Sequence, residues 1–330
     1  MSPGTRRALK ELVEKAEFRP LGRNAHLQTL GAAFGRRVPE SPSLLEVWNT
    51  SDDDFLRVHR WDRPEPVGMA LLLHGLEGSA RSPYVRGVAR ALHARGFSVY
   101  VMEHRSCGGP MNRARRLYHS GETTDLDFVV RGLVKRHPEL PLTLFGVSLG
   151  GNQIAKWLGT HEVPSAVAGA VVVSPPFDLV ASGAHTDRSS LTYVRYFLRT
   201  LIPKAVAKEA QYPGCVDIEA VRRATNFESF DEHGTAALHG FASARDYYER
   251  SSCGRYLEGI RVPTLFVAAE DDPFNPGETI PRAQFHDSEW LHGLFPRHGG
   301  HVGFMGRGRG GPTFWLDELA ADFSSTVVRR

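Results

Sequence analysis

Four apolar runs with no polar alternation constrain this chain more than any other feature. They are MALLLHG at 69–75, FSVYVMEH at 97–104, LTLFG at 142–146 and AVAGAVVVS at 166–174. Between them lie segments with apolar residues at helical spacing: 83–95 closed by Gly96, 122–137, and LGGNQIAKWLG at 149–159. A strand apolar on both faces must be buried on both. The alternation therefore predicts a mostly parallel central sheet with crossover helices on both faces.

The alternation stops at 176–258, where the chain is largely helical, aromatic and basic, and resumes with VPTLFVAAE at 262–270. A short helical stretch after Asn275, the strand EWLHGLFP at 289–296 and a final helix at 313–325 complete the pattern. The excursion reads as an inserted helical cap over the carboxyl ends of the strands, where open α/β sheets bind ligands. The expected division is thus an N-terminal segment (1–66), a core (67–175 and 259–330) and a cap (176–258). In the first segment, 5–16 reads as an amphipathic helix, with Leu9, Leu12, Val13 and Ala16 on one face. LLEVWN and FLRVHRW, separated by SDDD, read as a hairpin preceding the main sheet.

Composition removes several classes of function. A formal charge of +3 with dispersed arginines leaves no footprint for nucleic acid. No stretch approaches the ~20 apolar residues of an integral membrane segment, and the N-terminus lacks a signal-peptide core. The three cysteines, Cys107, Cys215 and Cys253, are odd in number and widely separated. They predict reduced thiols and a cytoplasmic location. Fifteen histidines occur without HExxH or CxxC, so neither a metal nor another cofactor is expected.

The chemistry concentrates in Gly146-Val147-Ser148-Leu149-Gly150, which follows an apolar strand and opens a helix. A serine on such a turn projects its hydroxyl at the sheet edge, and the helix amides favour negative charge on a reacting carbonyl. The hydroxyl needs a base, and the base an orienting acid. Asp271-Asp272 and His298-Gly299-Gly300-His301 both follow later strands, in the order serine, acid, base. A second oxyanion donor besides Leu149 is expected from His74-Gly75-Leu76-Glu77-Gly78, as the backbone N–H of Leu76.

Together with RNAHLQT at 23–29, LLLHGLEGS at 71–79, YHSGETTDL at 118–126, FGVSLGGN at 145–152, FDE at 230–232, DYY at 246–248, DDPF at 271–274 and HGGHVGF at 298–304, these residues make a recognisable set. The chain resembles the YheT-like branch of the α/β-hydrolase superfamily, which includes eukaryotic α/β-hydrolase domain proteins and yeast medium-chain ester synthases. The resemblance implies a triad of Ser148, Asp272 and His301. Asp272 is chosen over Asp271 because Pro276 follows it by four residues, as in the common acid loop of this fold. His301 is chosen over His298 because it ends the HGGH run. Asp271 and His298 then read as loop structure or supporting hydrogen bonds. The branch usually carries a loop close to FRGCSG, whereas this chain has His104-Arg105-Ser106-Cys107-Gly108-Gly109. Cys107 reads as a packing residue, and His26 as structural or as reaching the site from the N-terminal segment.

The expected activity is hydrolysis of a small carboxylic ester through an acyl-enzyme on Ser148. Acyl transfer to an alcohol, lipid-directed (phospho)lipase activity and a non-catalytic binding protein are the alternatives.

Overall fold

The structure is a computed structural model that describes residues 2–39, 42–308 and 311–329. The N-terminal helix α1 (Pro3–Lys15) starts at Ser2, whose side chain accepts the Thr5 amide. It buries Leu9 and packs Leu12, Val13 and Ala16 on the core. A short helix, α2 (Ala25–Leu30), precedes strands β1 (Leu44–Asn49) and β2 (Phe55–Trp61). Then follow β3 (Gly68–Leu73), α3 (Pro83–Ala94), β4 (Phe97–Glu103), α4 (Thr124–Arg136), β5 (Leu142–Val147), α5 (Leu149–Thr160) and β6 (Val167–Val173). Six helices come next: α6 (Leu179–Ser189), α7 (Leu191–Gln211), α8 (Ile218–Arg223), α9 (Phe227–Phe230), α10 (Ala237–His239) and α11 (Ala244–Ser251). The chain closes with β7 (Thr264–Val267), α12 (Arg282–Asp287), β8 (Leu291–Leu294), β9 (Met305–Gly308), β10 (Gly311–Phe314) and α13 (Trp315–Val328).

Eight strands form one sheet in the order β1-β2-β4-β3-β5-β6-β7-β8. From β4 to β8 the pairs are parallel; β1, β2 and β4 pair antiparallel. The N-terminal hairpin therefore does more than precede the sheet: it extends the sheet as its antiparallel edge. Residues 311–314, of which 313–314 read from sequence as helix, instead pair with Met305–Gly308, so the last helix begins at Trp315. The strand pairing satisfies amides that a first helical turn would leave open.

Successive strand residues point to opposite faces, and both faces are covered. Met69, Leu71 and Leu73 pack with Val129, Ile154 and Trp157 under α4 and α5. Ala70 and Leu72 pack with Val88, Leu92, Leu319 and Phe323 under α3 and α13. The chain leaves β3 toward β4 on one side, while β5 lies on the other. β3 and β5 therefore flank a topological switch point, where a crevice opens at the strand ends.

A buried polar cluster secures the loop after β4. Arg105, fully buried, meets Asp54 and holds Asp125 at 2.7 Å. Ser106, which replaces the branch's usual glycine, takes the left-handed region at φ +62. Its Oγ donates to Asn112 Oδ1 at 2.7 Å and accepts the Asn112 amide at 3.0 Å, which offsets the strain.

Candidate active site

Ser148 joins β5 to α5 at φ 56, ψ −120, a conformation side chains rarely adopt, and its amide donates to Val173 O at 2.8 Å. Such a backbone costs about 1–3 kcal/mol and persists only where neighbours over-determine it. Its flanking glycines show why: a Cβ on Gly146 would stand 2.6 Å from Gly150 O, and one on Gly150 2.6 Å from His74 O. The turn thus requires glycine two residues either side of the serine.

The loop after β3 lies against this turn, with the ideal Cβ position of Gly75 only 3.3 Å from Ser148 Cβ. Most of its amides are occupied. Gly75 N–H donates to Tyr84 Oη at 3.0 Å, Glu77 N–H to Tyr118 Oη at 3.0 Å, and Gly78 N–H to Gly75 O at 3.0 Å. The amides of Leu76 and Leu149 have no acceptor among the described residues, and both residues line the space above Ser148. His74 holds the loop: its Nδ1 donates to Gly75 O at 2.7 Å, while Nε2 accepts the His104 amide at 3.1 Å. Burial drives His74 well below the usual histidine range and His104 down to about 4, so both rings are neutral donors and acceptors.

Asp272 and His301, both buried, follow β7 and β8, and Asp272 Oδ2 lies 2.8 Å from His301 Nδ1. The other Asp272 oxygen accepts the Phe274 amide at 2.8 Å. Asp271 turns elsewhere: its Oδ1 accepts the amides of Gly299 at 3.0 Å and Gly300 at 3.1 Å, and its Oδ2 meets His298 Nδ1 at 3.1 Å. Ser148 and His301 line the same two spaces without a direct hydrogen bond within 3.5 Å. His26 faces α7, its Nδ1 3.1 Å from Tyr193 Oη.

Two spaces meet at Ser148. An inner chamber of about 140 Å³ includes Ser120, Leu149, Ser182, Asp231, Tyr247 and Tyr248 in its wall. An outer one of about 620 Å³ is bounded by Leu30, Phe34, Tyr84, Tyr193, Tyr196 and Phe197 among others. Leu76, Ser148, Phe227, Phe274 and His301 line both. Residues of α6, α7, α9 and α11 therefore wall the strand-end crevice.

Several contributors carry no sequence signal of their own. Thr29 Oγ1 accepts the His301 amide at 3.0 Å, fixing the loop that presents the imidazole. Asn152 ties α5 to Ser120 O at 2.8 Å and Ser251 O at 2.7 Å. Both residues sit in motifs that mark the resemblance, which is the one signal that could have singled them out. Cys107 is buried beside Lys204 Nζ at 3.5 Å, and burial pushes its thiol up to about 12, so it stays protonated. Among the described residues, no group of three or more His, Cys, Asp or Glu is placed to hold a metal ion, and no helix is long and apolar enough to cross a membrane.

A parallel sheet with its switch point at a strained serine, neighboured by open amides, defines a serine hydrolase of the α/β-hydrolase fold. More narrowly, the chain belongs to the family described as "Serine aminopeptidase, S33", whose profile matches residues 64–287. It is 35% identical over 326 residues to the protein of Escherichia coli (strain K12) named "Putative esterase YheT", covering 96% of both chains. It is 28% identical to the monoacylglycerol lipase of Saccharomyces cerevisiae, over 76% of this chain and 58% of that one. It is 27% identical to the phospholipase ABHD3 of Mus musculus, over 71% and 58%. An esterase of Pyrococcus furiosus shares the fold at a TM-score of 0.53 and 19% identity, covering 81% of this chain and 88% of that one. A soluble variant of the yeast monoglyceride lipase does so at 0.52 and 15%, covering 81% and 90%.

Proposed function

We propose that the protein hydrolyses carboxylic esters through an acyl-enzyme on Ser148, with His301 as base, Asp272 as orienting acid, and the Leu76 and Leu149 amides as oxyanion donors. The observation that carries this reading is the 2.8 Å Asp272–His301 pair, whose histidine lines the same chambers as Ser148. With Nδ1–H donating to Asp272, the neutral ring offers Nε2 to the serine proton. Ser148 Oγ attacks the ester carbonyl, the oxyanion takes the two open amides, and His301 returns the proton to the leaving alcohol. Water activated by the same ring then releases the acid. An alcohol in place of water would make an ester instead; acylation is common to both.

In this reading the segment 176–258 acts as a cap that shapes the substrate spaces, and the protein works in the cytoplasm. A lipid-directed variant of the activity has one observation in its favour. Leu27, Phe34, Leu191 and Tyr196 are exposed at 67, 63, 50 and 49%, and the last three border the outer chamber. Apolar side chains around a site mouth suit an aggregated ester substrate.

The test is labelling with a fluorophosphonate, followed by turnover of p-nitrophenyl esters from acetate to palmitate, with and without ethanol. Labelling at Ser148 alone, abolished by Ser148→Ala in a folded protein, is the expected result. Labelling that survives the substitution would overturn the nucleophile. A new ethyl ester in the ethanol arm would identify the transferase.

A further inference from the structure

The short helix α2 is turned inside out. Its buried residues are the polar pair Gln28 and Thr29, at 1 and 5% exposure, whereas Leu27 and Leu30 stand 67 and 39% exposed. Interior contacts fix this orientation. Gln28 donates to Gly22 O and Met305 O at 3.0 Å and accepts the Met305 amide at 2.7 Å. Thr29 holds the His301 amide, so rolling the leucines inward would release the loop that presents the imidazole.

The outward apolar face continues into the π-helical turn Gly31–Gly35, where Phe34 is exposed. Leu27, Leu30 and Phe34 follow at intervals of three and four, the spacing that places side chains on one helix face. The start of α7 adds Leu191 and Tyr196, both about half exposed, and Phe34 meets Tyr196 edge-on at 5.7 Å between ring centroids. Leu30, Phe34, Leu191 and Tyr196 all line the outer chamber. The exposed apolar side chains therefore form one patch around the entrance to Ser148. Single exposed leucines need no explanation, but a contiguous patch at a site mouth marks a surface that something covers.

Charge identifies the cover. Residues 18–39 contain four arginines and no Asp or Glu; residues 188–208 contain three arginines, two lysines and likewise no acid. Arg36 is committed to Asp317 and Lys204 to Glu77. Arg23, Arg195 and Arg199 are exposed and have no ion-pair partner among the described residues. Leu191, Arg195 and Arg199 recur every four residues along α7 and share one exposed stripe. A second copy of this chain fits poorly, because an isologous contact would set arginine against arginine with no carboxylate in either segment. A rigid protein partner would seal the entrance. An anionic bilayer answers both features: lipid phosphates face the arginines, and the apolar side chains enter the boundary of headgroups and acyl chains. Its fluid surface leaves the entrance open.

We propose that α2, the turn after it and the start of α7 form a docking surface for an anionic phospholipid bilayer, which holds the mouth of the outer chamber against the membrane. The docking stands apart from the chemistry. Only its consequence, that apolar esters reach Ser148 from the bilayer, rests on the ester-hydrolase reading above.

The experiment is co-sedimentation of the full chain with vesicles, either of phosphatidylcholine alone or of equal parts phosphatidylcholine and phosphatidylglycerol. It compares the wild-type protein with Leu27→Ser and with Arg195→Gln/Arg199→Gln, each checked for cooperative melting. The wild-type protein should sediment with the anionic vesicles and bind the neutral ones far more weakly. Two arginines at a charged surface are worth about 10- to 30-fold in affinity, so the double substitution should weaken anionic binding by that factor. Leu27→Ser should weaken it several-fold, and raising salt from about 0.1 to about 0.5 M should weaken it as well. Wild-type protein that ignores the anionic vesicles, or binds both kinds equally, overturns the proposal. Binding that survives unchanged in both folded variants overturns it too. A dimer that Leu27→Ser dissolves, measured by analytical ultracentrifugation, would make a second copy the cover and overturn the bilayer. Because binding is read without turnover, its absence leaves the esterase reading standing, and an inactive enzyme that still binds leaves the docking surface standing.

Discussion

Lys204, on the long helix α7, places its Nζ 2.5 Å from Glu77 Oε1, one residue beyond the open amide of Leu76. The same oxygen accepts Tyr118 Oη at 2.6 Å, and Glu77 itself takes the left-handed region at φ +55. The pair is largely buried, with side-chain exposures of 18 and 8%, so solvent screens it less than a surface ion pair. Helix α7 is thereby tied to the loop that carries the Leu76 amide.

If Leu76 donates to the oxyanion as proposed, Lys204 is expected to be a positioning residue. Lys204→Met should lower kcat about tenfold, equivalent to about 1.4 kcal/mol of transition-state stabilisation, with a smaller change in KM. Lys204→Arg should restore most of the loss, because a cation again reaches Glu77. Steady-state kinetics on one short ester measures both. An equal change in kcat and KM that Arg fails to rescue would reduce Lys204 to a packing role.

The adjacent carboxylates should separate cleanly. Asp272→Asn removes the acceptor that fixes the His301 tautomer, and the comparable change in serine proteases lowers kcat by about 10⁴. Asp271→Asn keeps an oxygen for the Gly299 and Gly300 amides, so kcat should fall by less than about tenfold. Larger damage from Asp271→Asn would move the acid by one residue.

Phe197 should govern selectivity in the outer chamber. Its ring packs on Tyr196 at 5.3 Å, Phe227 at 6.1 Å and Phe274 at 6.2 Å. Phe197→Ala should enlarge this space and shift the relative kcat/KM of long against short substrates several-fold, while Ser148 still reacts with a small fluorophosphonate. Equal losses at all lengths would argue that Phe197 only supports the fold.

Asp231 gives stability a defined pH dependence. Burial, with Asp187 nearby, pushes its carboxyl up to about 6, against the downward pull of Thr235 and Tyr248; Tyr247 is the other titratable ring on this face. Because the folded value lies above the unfolded one, the native state binds the proton more tightly. That contribution is fully present below about pH 4 and disappears as pH rises through about 6. Asp231→Asn, which has no charge to bury, should raise Tm relative to wild type at pH 8 by more than at pH 4. The free-energy difference is on the order of 1–3 kcal/mol. Differential scanning calorimetry at the two pH values measures it; an equal effect at both would show that Asp231 ionises freely.

Local pattern carried much of the fold. Both-face apolar runs such as LTLFG and AVAGAVVVS can satisfy burial only inside a covered parallel sheet. GVSLG between a strand and a helix leaves the serine few conformations. The N-terminal hairpin was legible as a hairpin, but its place at the sheet edge was not, because pairing of Arg57–Trp61 with Val99–Glu103 depends on register between distant segments. The chain order of Ser148, Asp272 and His301, each just after a core strand, was also legible. The spacing to Pro276 favoured Asp272 over Asp271, but which side chain meets His301 and which meets His298 depends on where adjacent loop residues point.

The sequence by itself determined the strands, the crossover helices and the strained serine turn, because these follow from short-range periodicity and backbone sterics. Tertiary structure decided what surrounds the serine. Thr29 reaches His301, Lys204 reaches Glu77, and Asp231 meets Tyr248 in the wall that Ser182 shares. The first two contacts join residues 272 and 127 positions apart, and no periodicity encodes separations of that kind. They arise only when the packed sheet faces set where each loop and helix end must lie, and close packing leaves those positions little freedom.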